Sequence, residues 1–166
     1  PKGAGYAVRE SYPTGGLPTL IAISQDATGL ALDKALSYAW GIGSRKTLIG
    51  CRPQDEVDCD LFGEQAVLCG GISALLKSGF DVLVKAGYPP EIAYFECVHE
   101  LKLIVDLVAK RGLSGMHDAI SGTATFGDFK VGPQVIGEAS RHAMEQALAR
   151  IQDGSFAKEW VEEFQN

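Results

Sequence analysis

The pattern of hydrophobic and polar positions divides the chain into two parts near residue 53. In the first part, the short β-like runs TLIAIS (19–24) and KTLIGC (46–51) flank a helix-like stretch, LALDKALSYAWGIG (30–43). Strand, helix and strand in about thirty residues predict one β-α-β unit. Since one such unit cannot cover both faces of its sheet, we expect residues 1–52 to be the end of a larger α/β domain whose beginning is missing.

From residue 53 to residue 166 the apolar positions recur with the period of helices. Gly79 is a candidate break in the first of these helices. The segment 112–133 contains too many glycines and small polar residues to form one long helix. The predicted helices span residues 60–85, 91–110, 134–151 and 155–164.

One predicted helix is too apolar to lie on the surface of a single small chain. The stretch IAYFECVHELKLIVDLVA (92–109) carries apolar side chains on most of its circumference. A helix that is apolar nearly all round is buried. In a chain of this size we expect burial against another subunit, so that helices within residues 60–110 form at least a homodimer.

Composition excludes some partners and leaves others open. The net charge of −6 argues against a nucleic-acid partner, because phosphate binding favours a basic face. The charge fits a cation site, although an ordinary acidic surface explains the net charge alone better. We expect no signal peptide and no apolar run long enough to cross a membrane. Four cysteines without a CxxC motif predict buried, reduced thiols and a cytoplasmic location.

The acidic residues form two series with helical spacing. Glu56, Asp60 and Glu64 recur every four residues, and Glu96 and Glu100 repeat that spacing inside ECVHE. On a helix this spacing places side chains on one face. In a half-buried setting, with an effective dielectric near 20, two such carboxylates repel by roughly 3 kcal/mol. A hard dication such as Mg²⁺ or Mn²⁺ reverses that sign. Solvated helix ends are the alternative interpretation, and spacing alone does not decide between them.

Two further features have more than one interpretation. The pair Gly70-Gly71 costs a helix about 1 kcal/mol per glycine relative to alanine; we interpret it either as close helix packing or as room for a ligand. Ser121, in AISGTA, has no nucleophile-elbow motif and suits a turn or a helix cap.

Several longer motifs resemble one enzyme family. The segments DLFGEQAVLCGG, AGYPPEIAYFECVHELKLIVDL, AISGTATFGD and IQDGSFAKEW, in this order, resemble the class I (short-form) ketol-acid reductoisomerases. The upstream PKGAGYAVRESY and TLIAISQDATGLALDKALSYAWGIG are similar to the late part of that family's nucleotide-binding domain, so the resemblance covers essentially the whole chain. It implies conversion of 2-acetolactate or 2-aceto-2-hydroxybutyrate to a 2,3-dihydroxy-3-methyl acid in branched-chain amino-acid synthesis. A Mg²⁺-dependent alkyl migration would precede reduction by NADPH.

The resemblance also implies a ligand set for two Mg²⁺ ions. Asp60 matches the aspartate that bridges both ions, and Glu64 matches a glutamate that binds one of them. Glu96 and Glu100 match the pair that completes the site from the partner subunit.

Three other residues acquire roles only from the resemblance. Lys2 matches a lysine that forms hydrogen bonds within the active site, and Glu56 matches an acid that flanks the metal ligands. Together with Glu64, these two are the candidate catalytic residues. Ser121 matches a serine that contacts the substrate. The resemblance leads us to expect Asn and Glu at positions 122 and 125, where this chain has Gly and Thr.

The expected fold is therefore mainly α. An entwined, knot-related, all-helical C-terminal domain (53–166) would follow a β-α-β remnant of a Rossmann-type domain (1–52). The family's Gly-rich phosphate loop has no counterpart here, so we expect no cofactor-binding residue in this chain and no turnover from it alone; NADPH would bind the intact enzyme. The alternative hypothesis is a non-catalytic helical dimerisation module whose acids are solvated.

Overall fold

The computed structural model describes residues 1–3 and 5–165. The chain divides into two compact units, Pro1–Leu61 and Phe62–Asn166. The described residues are mainly helical, with a small parallel sheet of two strands. This confirms the predicted fold class, a helical domain preceded by a β-α-β remnant. The division by contacts lies nine residues beyond the predicted domain boundary (61 against 52), and that boundary stays a prediction.

The first unit contains the predicted β-α-β element. Strands β1 and β2 pair in parallel, with Thr19 opposite Leu48, and the intervening helix α2 packs on β1. Thr19 is buried, and its hydroxyl lies 2.5 Å from that of Ser44. The bond joins the loop after α2 to the start of β1. The elements of this unit are α1 (Gly5–Ser11), a 3₁₀ turn (Tyr12–Thr14), β1 (Thr19–Ala22), α2 (Ala31–Gly41), β2 (Leu48–Cys51) and α3 (Pro53–Gly63), whose last two residues belong to the second unit.

The second unit consists of helices and two short π-helical turns. In a π-turn each backbone N–H bonds to the carbonyl five residues earlier, so the turn holds one more residue than an α-helical turn. The elements are the first π-turn (Glu64–Leu68), α4 (Gly70–Lys85), α5 (Pro90–Tyr94), the second π-turn (Phe95–His99), α6 (Leu101–His117), α7 (Gly122–Val135), α8 (Glu138–Gln152) and α9 (Ser155–Gln165).

The helix predicted over residues 60–85 is interrupted, but not at the expected glycine. Gly79 lies inside α4, where an added Cβ would be 3.4 Å from the Cys97 sulfur. That distance is ordinary van der Waals contact, so the helix continues through this position. The interruption falls at the first π-turn, Glu64–Leu68.

The glycine-rich segment is more helical than its composition predicts. Helix α6 passes through a kink at Gly112 (φ 69°) and ends at His117. Helix α7 then begins behind Ser121. The segment is thus not one long helix, as predicted, although the predicted helices did not include α7. His117 and Asp128 lie 2.5 Å apart (Nε2 to Oδ2) and connect the two helices. A good cap and a tertiary contact thus outweigh the low helix propensity of the glycines.

Much of the apolar surface of the second unit is exposed in the single chain. Leu68, Val82 and Leu103 are 67, 66 and 60% exposed, whereas Ala93 is fully buried. The continuous helical run Pro53–Lys85 contains an 18-residue window of mean hydropathy 1.6, none of it buried. This run is long and apolar enough to cross a membrane, so our expectation that the chain contains no such run is wrong. Core helices of soluble proteins pass the same test, so the run alone does not indicate a membrane.

The cysteines are free, as predicted, but they are not buried in the single chain. Cys59 and Cys69 are exposed, and Cys51 and Cys97 are half-buried. The prediction of burial is wrong for this chain, because within residues 1–3 and 5–165 no element covers the helical faces that carry the exposed pair.

Candidate metal and substrate site

Three of the predicted site residues meet in the first unit. The Lys2 ammonium donates to Asp60 and lies 3.3 Å from Oε1 of Glu56. The two acids are one helical turn apart on α3, so a single ammonium reaches both carboxylates. The backbone N–H of Lys2 donates to the Pro18 carbonyl at 2.8 Å, which holds the N-terminal segment beside the strand β1.

The two carboxylates favour the charged form of this lysine. The hydrogen bond to Asp60 is the main cause that raises the pKa of Lys2 above its ordinary value of 10.5; desolvation opposes the shift, and Glu56 adds to it. The Lys2 and Asp60 side chains are 40 and 50% exposed. The ammonium therefore stays charged at neutral pH in a solvated, carboxylate-rich setting.

A small cavity adjoins this cluster within the same unit. Its volume is about 300 Å³, and its wall includes Lys2 and Glu56 together with apolar side chains of β1 and α3, among them Leu20 and Val57. That volume is at the lower end of the range for small-molecule sites.

Glu64 is the first residue of the first π-turn. The turn is closed by the N–H of Cys69, which donates to the Glu64 carbonyl at 2.9 Å. A Cβ on Gly70 would lie 2.2 Å from the Gln65 carbonyl oxygen, and one on Gly71 would lie 2.1 Å from that of Ala66. The paired glycines thus make room for backbone oxygens of the π-turn. Gly71 also lines a cavity within the second unit, so helix packing and ligand space both stay open as interpretations of the pair.

The second acidic pair coincides with the second π-turn. Glu96 lies within it, and Glu100 follows it directly, donating its N–H to the Phe95 carbonyl at 3.1 Å. The ring of His99 lies 5.0 Å from that of Phe95, a packing contact. The second π-turn contacts α4, and the first π-turn leads directly into the same helix, so α4 connects both.

One chain does not assemble the full ligand set. Among the residues that the structure describes, no group of three or more His, Cys, Asp or Glu side chains converges to hold a metal. Within those residues, the carboxylates of Glu64, Glu96 and Glu100 have no hydrogen-bond or ion-pair partner, and all three residues are exposed. From the sequence we considered a half-buried setting for such acid pairs; in the single chain these carboxylates face solvent.

Ser121 is the N-cap of α7. Its hydroxyl oxygen accepts the Ala124 N–H at 3.1 Å and lies 2.9 Å from the Thr123 hydroxyl. Thr125 donates its hydroxyl to the Ser121 carbonyl at 3.2 Å. The serine is exposed, so the N-terminus of α7 is open to a ligand.

Sequence reasoning missed the two π-turns. A π-turn spans five residues and does not alter the apolar period enough to be recognised. The available signal was the pair Gly70-Gly71, because two adjacent glycines are unfavourable inside a helix. They lie five residues after Gln65 and Ala66, which is the spacing of a π-helical hydrogen bond.

Comparisons with known proteins agree with this fold and site. A family model described as ketol-acid reductoisomerase, C-terminal domain, matches residues 54–166. A second, described as acetohydroxy acid isomeroreductase, NADPH-binding domain, matches residues 1–47. The solved structure of an NADH-preferring ketol-acid reductoisomerase from an uncultured archean is 47% identical, with a TM-score of 0.95. The alignment covers 99% of this chain and 50% of that one, so this chain spans about half the length of that structure.

Fold, family models and structural neighbour together define a helical domain that follows a short piece of a nucleotide-binding domain. The chain belongs to the ketol-acid reductoisomerase family.

Proposed function

We propose that this chain is the metal- and substrate-binding part of a ketol-acid reductoisomerase. The intact enzyme would convert 2-acetolactate or 2-aceto-2-hydroxybutyrate to a 2,3-dihydroxy-3-methyl acid, by alkyl migration and then reduction, in valine, leucine and isoleucine synthesis. The observation that carries this proposal is the cluster of Lys2, Glu56 and Asp60, in which two carboxylates already hold a cation.

The donor chemistry fits two hard dications. Asp60 and Glu64 of one chain would bind Mg²⁺ together with Glu96 and Glu100 of a second chain. All four ligands are carboxylates, the donors that Mg²⁺ prefers. Three of these carboxylates have no hydrogen-bond or ion-pair partner among the described residues. They are therefore free to bind a metal ion. When bound, the ions would supply Lewis acidity that polarises the substrate ketone and stabilises negative charge on its oxygen.

Residues outside the ligand set would orient the substrate and hold charge. The Lys2 ammonium, kept charged by Asp60 and Glu56, would donate a hydrogen bond to a substrate oxygen on the edge of the first-unit cavity. Ser121 would contact the substrate carboxylate at the N-terminus of α7, where backbone N–H groups favour an anion.

The cofactor in the intact enzyme would be NADPH. The match of residues 1–47 to an NADPH-binding domain supports a nicotinamide cofactor. The structural neighbour is an NADH-preferring enzyme, so the choice of NADPH rests on the family resemblance alone.

The assembly would be at least a homodimer, with entwined helical domains. Support comes from the exposed apolar faces of α4 and α6, illustrated by Val82 and Leu103. A mainly apolar cavity of about 580 Å³ in the second unit, lined among others by Leu75, Ile136 and Met144, provides space for side chains of a second copy. Burial of such surface contributes about 25 cal/mol per Å² before the cost of association. Sedimentation showing a stable, folded monomer would contradict this assembly.

Titration with Mn²⁺, a spectroscopic substitute for Mg²⁺, tests the proposed function. The wild-type dimer should bind Mn²⁺ saturably, whereas Asp60→Asn and Glu64→Gln should each weaken binding at least tenfold, about 1.4 kcal/mol. Glu163→Gln, on α9, is the matched control and should leave the affinity unchanged.

A second candidate function is a helical dimerisation module without catalysis. It is favoured by the lack of a three-carboxylate group within the described part of one chain. A wild-type dimer that fails to bind Mn²⁺ saturably would establish this alternative.

A further inference from the structure

The two π-turns of the second unit occur where the proposed metal ligands occur. Glu64 begins the first turn, Glu96 lies inside the second, and the N–H of Glu100 closes the second. π-Helix accounts for well under 1% of residues in globular proteins, and single π-turns are frequent at functional sites. Because each of the two turns carries proposed metal ligands, their positions indicate a role in metal binding.

A π-turn changes the direction in which nearby side chains point. It adds one residue to the helix, and one residue corresponds to a rotation of about 100° around the helix axis. The residues on either side of the first turn therefore do not share the face that uninterrupted α-helical spacing gives them. The direction of the Glu64 side chain relative to α4 therefore depends on whether residues 64–68 form the π-turn, which holds one extra residue, or a regular α-helical turn.

The first π-turn requires glycine at two positions. Side chains at Gly70 and Gly71 would overlap the carbonyl oxygens of Gln65 and Ala66, at 2.2 and 2.1 Å. These obstacles are backbone atoms, which cannot rotate away as a side chain does. Gly63, in the same helical run, has a different environment, because a Cβ there would be no nearer than 3.9 Å to Leu68.

We propose that the first π-turn is the device that positions Glu64 for metal binding, and that Gly70 and Gly71 are positioning residues that make the turn possible. The inference rests on the proposed function, since Glu64 must be a metal ligand for its direction to matter. Neither glycine touches metal or substrate; each acts through the carbonyl oxygens of the turn.

The first test compares Gly70→Ala with Gly63→Ala in the purified chain. Mn²⁺ affinity is measured by titration, and circular dichroism and sedimentation report the fold and the assembly. Gly70→Ala should retain helix content and assembly but bind Mn²⁺ about tenfold more weakly, whereas Gly63→Ala should stay within about twofold of wild type. In the intact enzyme, Gly70→Ala should raise the Mg²⁺ concentration for half-maximal rate more than it lowers the rate at saturating Mg²⁺.

The second test removes the π-turn without adding a side chain. Deleting Val67, which is 45% exposed, should leave an uninterrupted α-helix that no longer binds Mn²⁺. In that background Gly70→Ala should raise the melting temperature, since alanine favours an α-helix over glycine and no carbonyl would face residue 70.

The two proposals fail in different ways. If the wild-type chain shows no saturable Mn²⁺ binding, the proposed function itself fails. If wild type binds Mn²⁺ but a folded Gly70→Ala or Val67-deleted chain binds it equally well, only the positioning role is overturned. Equal loss of affinity in Gly63→Ala and Gly70→Ala would also overturn it.

Discussion

Replacement of Lys2 by methionine should separate metal binding from catalysis. The Lys2 ammonium shares the Asp60 carboxylate with the proposed metal and also contacts Glu56 at 3.3 Å. Methionine has similar length and no charge. Lys2→Met therefore removes a positive charge from the carboxylates that the metal would use, and it also removes the proposed hydrogen-bond donor to substrate.

The magnitude follows from the solvated setting of the pair. Because Asp60 is 50% exposed, a water-like dielectric applies. At about 5 Å, a dication and an ammonium then repel by roughly 2 kcal/mol, and physiological salt reduces this to about 1 kcal/mol. Lys2→Met should accordingly tighten Mn²⁺ binding about fivefold, while the turnover of the intact enzyme should fall by at least a factor of ten.

The assay is Mn²⁺ titration of both proteins at 0.05 and 0.5 M salt, with steady-state rates of the intact enzyme. Arg52→Met is the matched control: it also removes one cation beside α3, but Arg52 pairs with Asp55 at 2.5 Å and not with the proposed ligands. The affinity change in the control should be smaller than twofold. Unchanged or weaker Mn²⁺ binding by Lys2→Met would refute the shared use of Asp60.

Three further outcomes are expected. Ser121→Ala should lower the melting temperature by about 2–5 °C, because loss of an N-cap costs roughly 1 kcal/mol, and Ser121→Asp should restore it; an unchanged midpoint would contradict the capping role. The hydrogen bond from Lys102 is the main cause that lowers the pKa of Asp106 below its ordinary 3.8. The stability that this pair contributes is therefore fully present at pH values above 3.8 and is lost as the pH falls through the lowered pKa of Asp106. Lys102→Met should raise the Asp106 midpoint in a carboxyl NMR titration, and no movement would disprove the pairing. Glu64→Gln should abolish isomerisation in the intact enzyme, and a near-normal rate with Mg²⁺ would remove Glu64 from the ligand set.

Local pattern was sufficient to predict much of the fold. The β-α-β element was recognisable because its strands and helix are short, separated by turn residues, and each has its own period. The helix predicted over residues 91–110, which the structure forms as α5, the second π-turn and α6, was recognisable from its apolar circumference and from the prolines that precede residue 91. Helix α7 was missed because its stability depends on the Ser121 cap and on the contact between His117 and Asp128, neither of which composition reveals.

The site was less accessible to sequence reasoning than the fold. Lys2 lies 58 residues before Asp60, and no spacing rule connects residues so distant; only the family resemblance paired them. The acids of the second unit were recognisable by their spacing, but their π-helical setting was not. The proposal that Glu96 and Glu100 complete a metal site on the partner subunit rests on the family resemblance. A single chain contains no second copy against which these exposed carboxylates could be placed.

A mixed dimer tests most directly whether carboxylates from two chains hold the metals. Asp60→Asn and Glu96→Gln chains with different affinity tags are co-expressed, and the dimer that carries both tags is purified. Each mutant alone should bind no Mn²⁺ at micromolar concentration. The mixed dimer has one site with both substitutions and one with neither, so it should bind about half as much Mn²⁺ as wild type. A mixed dimer that binds no Mn²⁺ would contradict a site shared between subunits.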